Sequence, residues 1–288
     1  MPSNGKDKSK ILFSTTAHTP RQADLRRVLE SVQKKDKELG RKHSDQRRFI
    51  VVEGLYKNSG TIVPFDELVA LKHEFSYRLM LDESFSFGTL GKTGRGVVEM
   101  YGKRHMYDAE IVTISLENSL GSIGGVTVGN DEVVDHQRLS GAGYCFSASS
   151  PPFTASAAIE ALAQLENSAQ LLASFKRNQS YLYTKLQAML KTHFKNKLVV
   201  TSHEQSPLVF VELKGETSAD PATVFDAVAE KCLLQGLALL SVSRSLSGNN
   251  NRTNPPPALR LTVSAALKQR DVDEALSILK KALQSVKM

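Results

Sequence analysis

Apolar residues along this chain follow two periods. Phe49-Ile50-Val51-Val52-Glu53 holds a β-branched run of the kind typical of a fully buried strand. Asn58-Ser59-Gly60 and Pro64 mark a turn. From Phe65 to Phe75 apolar side chains recur at Leu68, Leu71 and Phe75, the spacing of a helix, and Tyr77 to Leu81 reads as a second strand ending in Asp82. A third strand is predicted at Ile111 to Ile114, then Gly121-Ser122-Ile123-Gly124-Gly125 and a short strand, Val126-Thr127-Val128. Upstream, Thr19-Pro20-Arg21-Gln22 signals a helix start: Thr19 caps, Pro20 takes the first helical position and Gln22 completes a capping box. That helix should run to about Leu39, followed by a charged linker from Gly40 to Arg47. Strands alternating with helices in this way argue for a mostly parallel sheet covered by helices.

From Pro151 the pattern shifts to long helices, Ala155 to Leu165 and Leu171 to Phe194, whose apolar stripes mark core. Short strands at Leu198 to Thr201, Leu208 to Leu213, Ala238 to Val242 and Ala258 to Val263 then mix with helices at Ala222 to Gln235 and Asp271 to Val286. This α+β pattern predicts a second, smaller domain. Ser245 to Pro257 (SLSGNNNRTNPPP) reads as a polar surface loop closed by prolines. The expected organisation is a basic N-terminal segment with one helix over 1–47, a partial large domain over 48–165, and an interdomain helix with the small domain over 166–288.

Composition narrows the class. With 288 residues, 41% of them hydrophobic, the chain can bury a core without disulfides or a structural metal, which excludes disordered and disulfide-built folds. Cys145 and Cys232 match no metal-ligand or CxxC spacing and read as free thiols in a reducing compartment. No stretch approaches the ~18 apolar residues of a membrane span, and Met1 to Lys10 offers no apolar region for a signal peptide. The net charge of +7 invites a nucleic-acid reading until it is located. Residues 1–48 carry 13 Lys and Arg against 6 Asp and Glu, while the rest is balanced, 24 against 24. No aromatics interleave with those charges, so they read as a solvated helix face and linker, and nucleic acid is not an expected partner.

In open parallel sheets ligands bind beyond the carboxyl ends of the strands. Glu53, Asp82-Glu83 and Glu117-Asn118 are therefore the first candidates, and Asp82 the best of them, because a carboxylate held there stays ionised and can orient a protonated ring nitrogen. The competing reading of Asp82 is a turn or helix cap. Gly91-Lys92-Thr93 imitates a phosphate-binding loop, but the glycine that motif needs five positions before Gly91 is Ser86, so the segment reads as a tight turn allowing close backbone approach. The seven histidines form no metal-binding motif, and no serine sits in a GxSxG elbow. Residue pattern alone stops at an α/β chain with a ligand site at its strand ends.

Val52-Glu53-Gly54-Leu55-Tyr56, Gly60 with Pro64, Leu81-Asp82-Glu83-Ser84, Gly88 to Gly96 and Gly121 to Gly125, in that order, resemble the α-oxoamine synthases. Those are pyridoxal-phosphate enzymes of the aspartate aminotransferase fold (type I) that condense an amino acid with an acyl-CoA. Asp135 to Ser140, Gly143-Tyr144-Cys145-Phe146-Ser147-Ala148-Ser149 and Pro151-Pro152 sharpen the likeness toward the first long-chain-base subunits of serine palmitoyltransferase. The resemblance covers roughly residues 48 to 288. It implies an α/β fold with a partial large domain and a C-terminal α+β small domain.

The departures from that family carry the functional expectation. Active members form a Schiff base between cofactor and a lysine, and the matching position here is Asn118. They also read Asp-Glu-Ala-His at the strand end, whereas this chain reads Asp82-Glu83-Ser84-Phe85, so the cofactor-contacting histidine is Phe85. Without that lysine, covalent cofactor binding and the general base are lost together, and the chain alone should be catalytically silent. The resemblance therefore implies pairing with the lysine-bearing second long-chain-base subunit, which would hold pyridoxal 5'-phosphate covalently and condense L-serine with palmitoyl-CoA to 3-ketosphinganine. It places Asp82 at the pyridinium position and Ser147 and Ser149 as candidate phosphate contacts toward the partner's site; a plain turn before the Pro151 helix is the competing reading of those serines. The implied location is the cytosolic face of the endoplasmic reticulum, reached through the partner or an N-terminal helix. The chain enters the family pattern near Lys10 to Phe13, and His18 precedes Thr19-Pro20 where relatives carry Asn-Asp, so it is expected to be an N-terminally truncated form whose sheet exposes an edge. Two rivals remain: an independently active enzyme using another lysine such as Lys92, and an orphan fragment whose basic segment binds anionic lipid or RNA.

Overall fold

A computed structural model describes residues 9–13, 22–42, 46–105, 107–195, 197–215, 219–242 and 256–286. The chain divides into two compact units, Met1–Leu55 with Val63–Ala163, and Tyr56–Ile62 with Gln164–Met288. Thr19, Pro20 and Arg21 of the predicted capping box, His18, and residues 245–255 of the predicted proline-closed loop lie outside the described residues.

The first unit is built on a five-stranded sheet in sequential order: β1 (Ser9–Phe13), β2 (Arg47–Glu53), β3 (Arg78–Asp82), β4 (Ile111–Ser115) and β5 (Gly125–Gly129). The first four run parallel, and β5 turns back antiparallel to β4, pairing Thr113 with Thr127. The nine residues between β4 and β5 are too few for the crossover that a parallel neighbour requires, so the direction reverses. The β-branched run of β2 differs from its expectation. Ile50 and Val52 are buried whereas Phe49 and Val51 are only half-buried, so one face of this strand is fully covered and the other in part.

Helix α1 (Gln22–Glu38) precedes β2, and α2 (Phe65–Phe75) joins β2 to β3. Along α2 the side chains of Phe65, Leu68, Leu71 and Phe75 are buried at helical spacing, as the sequence predicts. Arg26 of α1 grips Glu74 of α2 through two parallel bonds of 2.6 and 2.7 Å. Three helices were not legible in the sequence. α3 (Val97–Tyr101) is a five-residue turn between glycines, α4 (Asp131–Ser140) buries no side chain, and α5 (Ala142–Cys145) is a single turn, so none presents an apolar stripe. α6 (Pro152–Asn167) begins in this unit and starts three residues before its predicted bound.

The second unit packs α7 (Ala169–Phe194), α8 (Pro221–Leu233) and α9 (Gln269–Gln284) with an antiparallel sheet ordered β6 (Leu198–Val200), β7 (Leu208–Leu213), β9 (Ala258–Thr262), β8 (Leu240–Val242). Its core holds Leu186, Val209, Phe225, Leu259, Leu279 and Leu283, each fully buried. Asp220 caps α8 by accepting from the Thr223 amide at 3.1 Å, with Pro221 at the first helical position. The predicted turn at Asn58-Ser59-Gly60 belongs to this unit, where the Gly60 carbonyl accepts from the His203 amide at 3.0 Å. Gly60 has φ of 66°, and a Cβ there would stand 2.4 Å from the Leu208 carbonyl oxygen, so only glycine fits without a shift. Among the described residues no helix is long and apolar enough to cross a membrane.

Candidate functional site

Register aligns the ends of three parallel strands, placing Glu53 beside Asp82 and Asp82 beside Thr113. At this edge the main chain is fixed by the Gly54 amide on the Asp82 carbonyl (2.7 Å) and the Glu83 amide on the Thr113 carbonyl (2.8 Å). The Asp82 carboxylate is half-buried and accepts from the Ser84 amide at 2.7 Å, which fixes one of its oxygens. Ser84 is the hub of the site. Its hydroxyl accepts from the Ser115 amide at 3.0 Å, and its carbonyl accepts from the Asn118 side-chain amide at 2.7 Å. Asp82 and Asn118, 36 positions apart, are thus joined through one serine. The Asn118 nitrogen is already committed as an amide donor and is no nucleophile.

Glu83, read with Asp82 as a strand-end candidate, does something else. It is 3% exposed and accepts from the Val97 amide at 3.0 Å, the Val98 amide at 3.3 Å and the Ser86 hydroxyl. Burial pushes its pKa up, and the hydrogen bonds only partly offset this. Gly96 is shaped to it: with φ of 86°, a Cβ there would lie 2.4 Å from Glu83 Oε2. Glu83 is a fastener for α3 rather than a ligand group.

The Gly91-Lys92-Thr93 turn is occupied by the chain itself. Glu99 accepts from the Thr93 amide (2.9 Å), the Thr93 hydroxyl (2.8 Å) and the Arg95 amide (3.0 Å). Burial raises the Glu99 pKa, yet these donors outweigh it and the net shift is downward. The backbone donors that a phosphate would need are spent on that carboxylate. The loop is also pinned to the Asn118 segment, since the Ser119 hydroxyl donates to the Phe87 carbonyl at 2.6 Å and a Cβ on Gly88 would stand 2.4 Å from Ser119 Cβ. Phe85 is half-buried in this loop, with its carbonyl accepting from the Thr89 hydroxyl at 2.8 Å.

Ser147 and Ser149 lie on an exposed stretch between α5 and α6. The Ser147 hydroxyl donates to the Gly143 carbonyl, and among the described residues no hydrogen bond joins either serine to Asp82, Ser84 or Asn118. The glycine segment before β5 is tied instead to α6, by the Ser122 hydroxyl on the Thr154 carbonyl at 2.7 Å. Cys145 is exposed and Cys232 buried, and burial pushes the Cys232 thiol up to about 11, which keeps it unreactive.

One cluster has almost no signature in the sequence. At the amino ends of β3 and β4, the buried His105 ring places Nδ1 2.6 Å from Asp108 Oδ2 and Nε2 2.6 Å from Asp66 Oδ1. Lys72, also buried, holds Glu110 at 2.7 Å, whose other oxygen accepts from the Leu79 amide at 2.6 Å. The His105/Asp108 spacing is the only local trace of it. This cluster ties α2 to the strands at the end opposite Asp82.

A mostly parallel sheet with an aspartate ending its central strand, in a chain that also carries a small α+β unit, fits the α/β class of pyridoxal-phosphate-dependent transferases of the aspartate aminotransferase fold. Residues 15–279 match the aminotransferase class I and II family, and the chain belongs to it. It is 39% identical over 250 residues to the long chain base biosynthesis protein 1c of Oryza sativa subsp. japonica, covering 86% of this chain and 50% of that protein. It is 37% identical over 270 residues to serine palmitoyltransferase 1 of Dictyostelium discoideum, covering 91% and 54%. The chain therefore spans about half the length of the curated relatives it matches. Among solved structures, the Sphingomonas wittichii serine palmitoyltransferase superposes with a TM-score of 0.71 at 25% identity, over 87% of this chain and 58% of that one. The residues at the Asp82 edge do not complete a covalent cofactor site. Position 118 supplies a side-chain amide, which is no amine nucleophile, and position 85 a phenyl ring with no hydrogen-bonding group.

Proposed function

We propose that this chain acts as a non-catalytic subunit of serine palmitoyltransferase, pairing with a lysine-bearing second long-chain-base subunit. In that complex the partner binds pyridoxal phosphate covalently and condenses L-serine with palmitoyl-CoA, on the cytosolic face of the endoplasmic reticulum. The observation that carries this reading is Asn118, whose side-chain amide is bonded to the Ser84 carbonyl within an otherwise family-like strand-end site. An amide has no basic lone pair with which to hold the cofactor aldehyde or move its proton, so that chemistry comes from another chain. Asp82 and the loop from Ser84 to Gly96 serve here as a braced scaffold, with Ser147 and Ser149 on an exposed segment facing the partner's cofactor phosphate. Exposed apolar side chains around that segment support a protein contact: Phe146 is 89% exposed and Leu139 80%.

The test is co-expression with a lysine-bearing subunit followed by co-purification and a palmitoyl-CoA-dependent assay of serine condensation. The expected result is a complex whose activity needs both chains and is unchanged by Lys92→Ala. An absorption band of covalently bound cofactor from this chain alone, abolished by Lys92→Ala, would overturn the reading in favour of an independent enzyme. Lack of both association and activity would refute the partnership.

A further inference from the structure

The amino ends of β2 and β3 carry a cavity of about 330 Å3, walled by α1, the end of α2 and the residues that open the two strands. Arg48, the second residue of β2, lines it and is 4% exposed. Its Nη2 donates to Gln46 Oε1 at 2.6 Å and meets Asp36 Oδ2 at 2.5 Å, and its guanidinium carbon lies 5.8 Å from the Tyr77 ring centroid. Its Nε is buried and, among the described residues, has no hydrogen-bond partner at bonding geometry. A buried N–H without an acceptor is costly to leave unmade, so an anionic oxygen entering the cavity beside this guanidinium gains a favourable contact.

Charge and shape say which kind. Both acids in the wall are matched, Asp36 by Arg48 and Glu74 by Arg26. Lys37 and Arg41 also line the cavity, are exposed, and have no acidic side chain bonded to them among the described residues, so the cavity is net positive. Leu29, Phe75 and Tyr77 supply a buried apolar floor. At roughly 30 Å3 of liquid volume per water, the space suits a ligand of on the order of ten non-hydrogen atoms.

We propose that this cavity binds a small organic anion, a carboxylate or phosphate ester bearing a compact apolar group, with an anionic oxygen accepting from Arg48 and the apolar group resting on Leu29, Phe75 and Tyr77. The site is remote from Asp82 and does not depend on the proposed subunit role. Calorimetric titration of the full chain at low salt with phenyl phosphate and with benzoate tests it, with inorganic phosphate and benzyl alcohol as comparisons. The expected result is one saturable site for the two organic anions, weaker binding of inorganic phosphate and none of benzyl alcohol. Lys37→Glu with Arg41→Glu, at exposed positions where folding is checked by far-UV circular dichroism, should weaken both organic anions about tenfold or more. Absence of saturable binding at millimolar concentrations, unchanged affinity in the double variant, or equal binding of benzyl alcohol would each overturn the proposal. If inorganic phosphate binds as tightly as phenyl phosphate, the apolar half of the assignment fails.

Discussion

Replacing Glu83 offers the sharpest test of how the strand-end loop is held. Its carboxylate is the acceptor for three donors, the Val97 and Val98 amides and the Ser86 hydroxyl, in a site where it is itself 3% exposed. Glu83→Ala removes the acceptor and leaves those donors facing an apolar methyl. Each buried donor left unsatisfied costs about 1–3 kcal/mol, and partial relaxation toward water brings three of them to roughly 3–5 kcal/mol. That is a large share of the ~5–15 kcal/mol typical of a folded domain. Glu83→Gln keeps an oxygen to accept from Val97 and Val98 and should cost about 1 kcal/mol or less. Chemical denaturation followed by far-UV circular dichroism reads both variants, since the chain has no tryptophan. The pH dependence follows from the raised pKa: the folded state holds the Glu83 proton more tightly than the unfolded chain, so this contribution is fully present below the unfolded carboxyl value and is lost as pH rises through the folded one. Glu83→Gln should abolish that slope. An alanine variant within about 1 kcal/mol of the parent, or a glutamine variant as damaged as the alanine one, would refute the role assigned to this carboxylate.

Two further outcomes follow from the same kind of geometry. Glu99 has a lowered pKa despite its burial, so its contribution is present above the unfolded carboxyl value and lost as pH falls through the folded one; Glu99→Ala should flatten the acid limb of a stability-against-pH curve, and an unchanged limb would contradict the assignment. Gly60→Ala combines a φ of 66° with a Cβ 2.4 Å from a backbone oxygen, so it should destabilise the second unit by about 1–3 kcal/mol in denaturant titrations, whereas a neutral outcome would mean the turn is free to move.

The elements that the sequence made legible are those with a long apolar period. α2, β3, β7 and α9 fall within two residues of their expected bounds, because the buried faces of α2, β3 and α9 repeat at regular spacing and β7 is a continuous apolar run, and both patterns are written locally. The site was legible in its identities and not in its connections. Asp82 and Asn118 stand out by residue type and family pattern, but nothing local announces that Ser84 joins them, since that bond spans 34 positions. β5 shows as a strand from its valines, while its direction depends on the shortness of the preceding connection. The His105 cluster assembles residues from Asp66 to Glu110 that share no period, so its one local trace is too weak to read.

By itself, then, the sequence determined the α/β class, the positions of the main strands and helices, and the presence of an asparagine at position 118. These are matters of local periodicity and residue identity. The tertiary structure alone decided what the neighbouring acids do. Asp82 and Glu83 are consecutive, yet Asp82 stays half-buried at the strand end on the Ser84 amide while Glu83, one residue past the strand, is buried among the amides of α3. Glu99 likewise turns a phosphate-like glycine loop into a closed internal contact. A carboxylate's role is set by the donors that surround it, and those donors arrive from distant parts of the chain only when it folds.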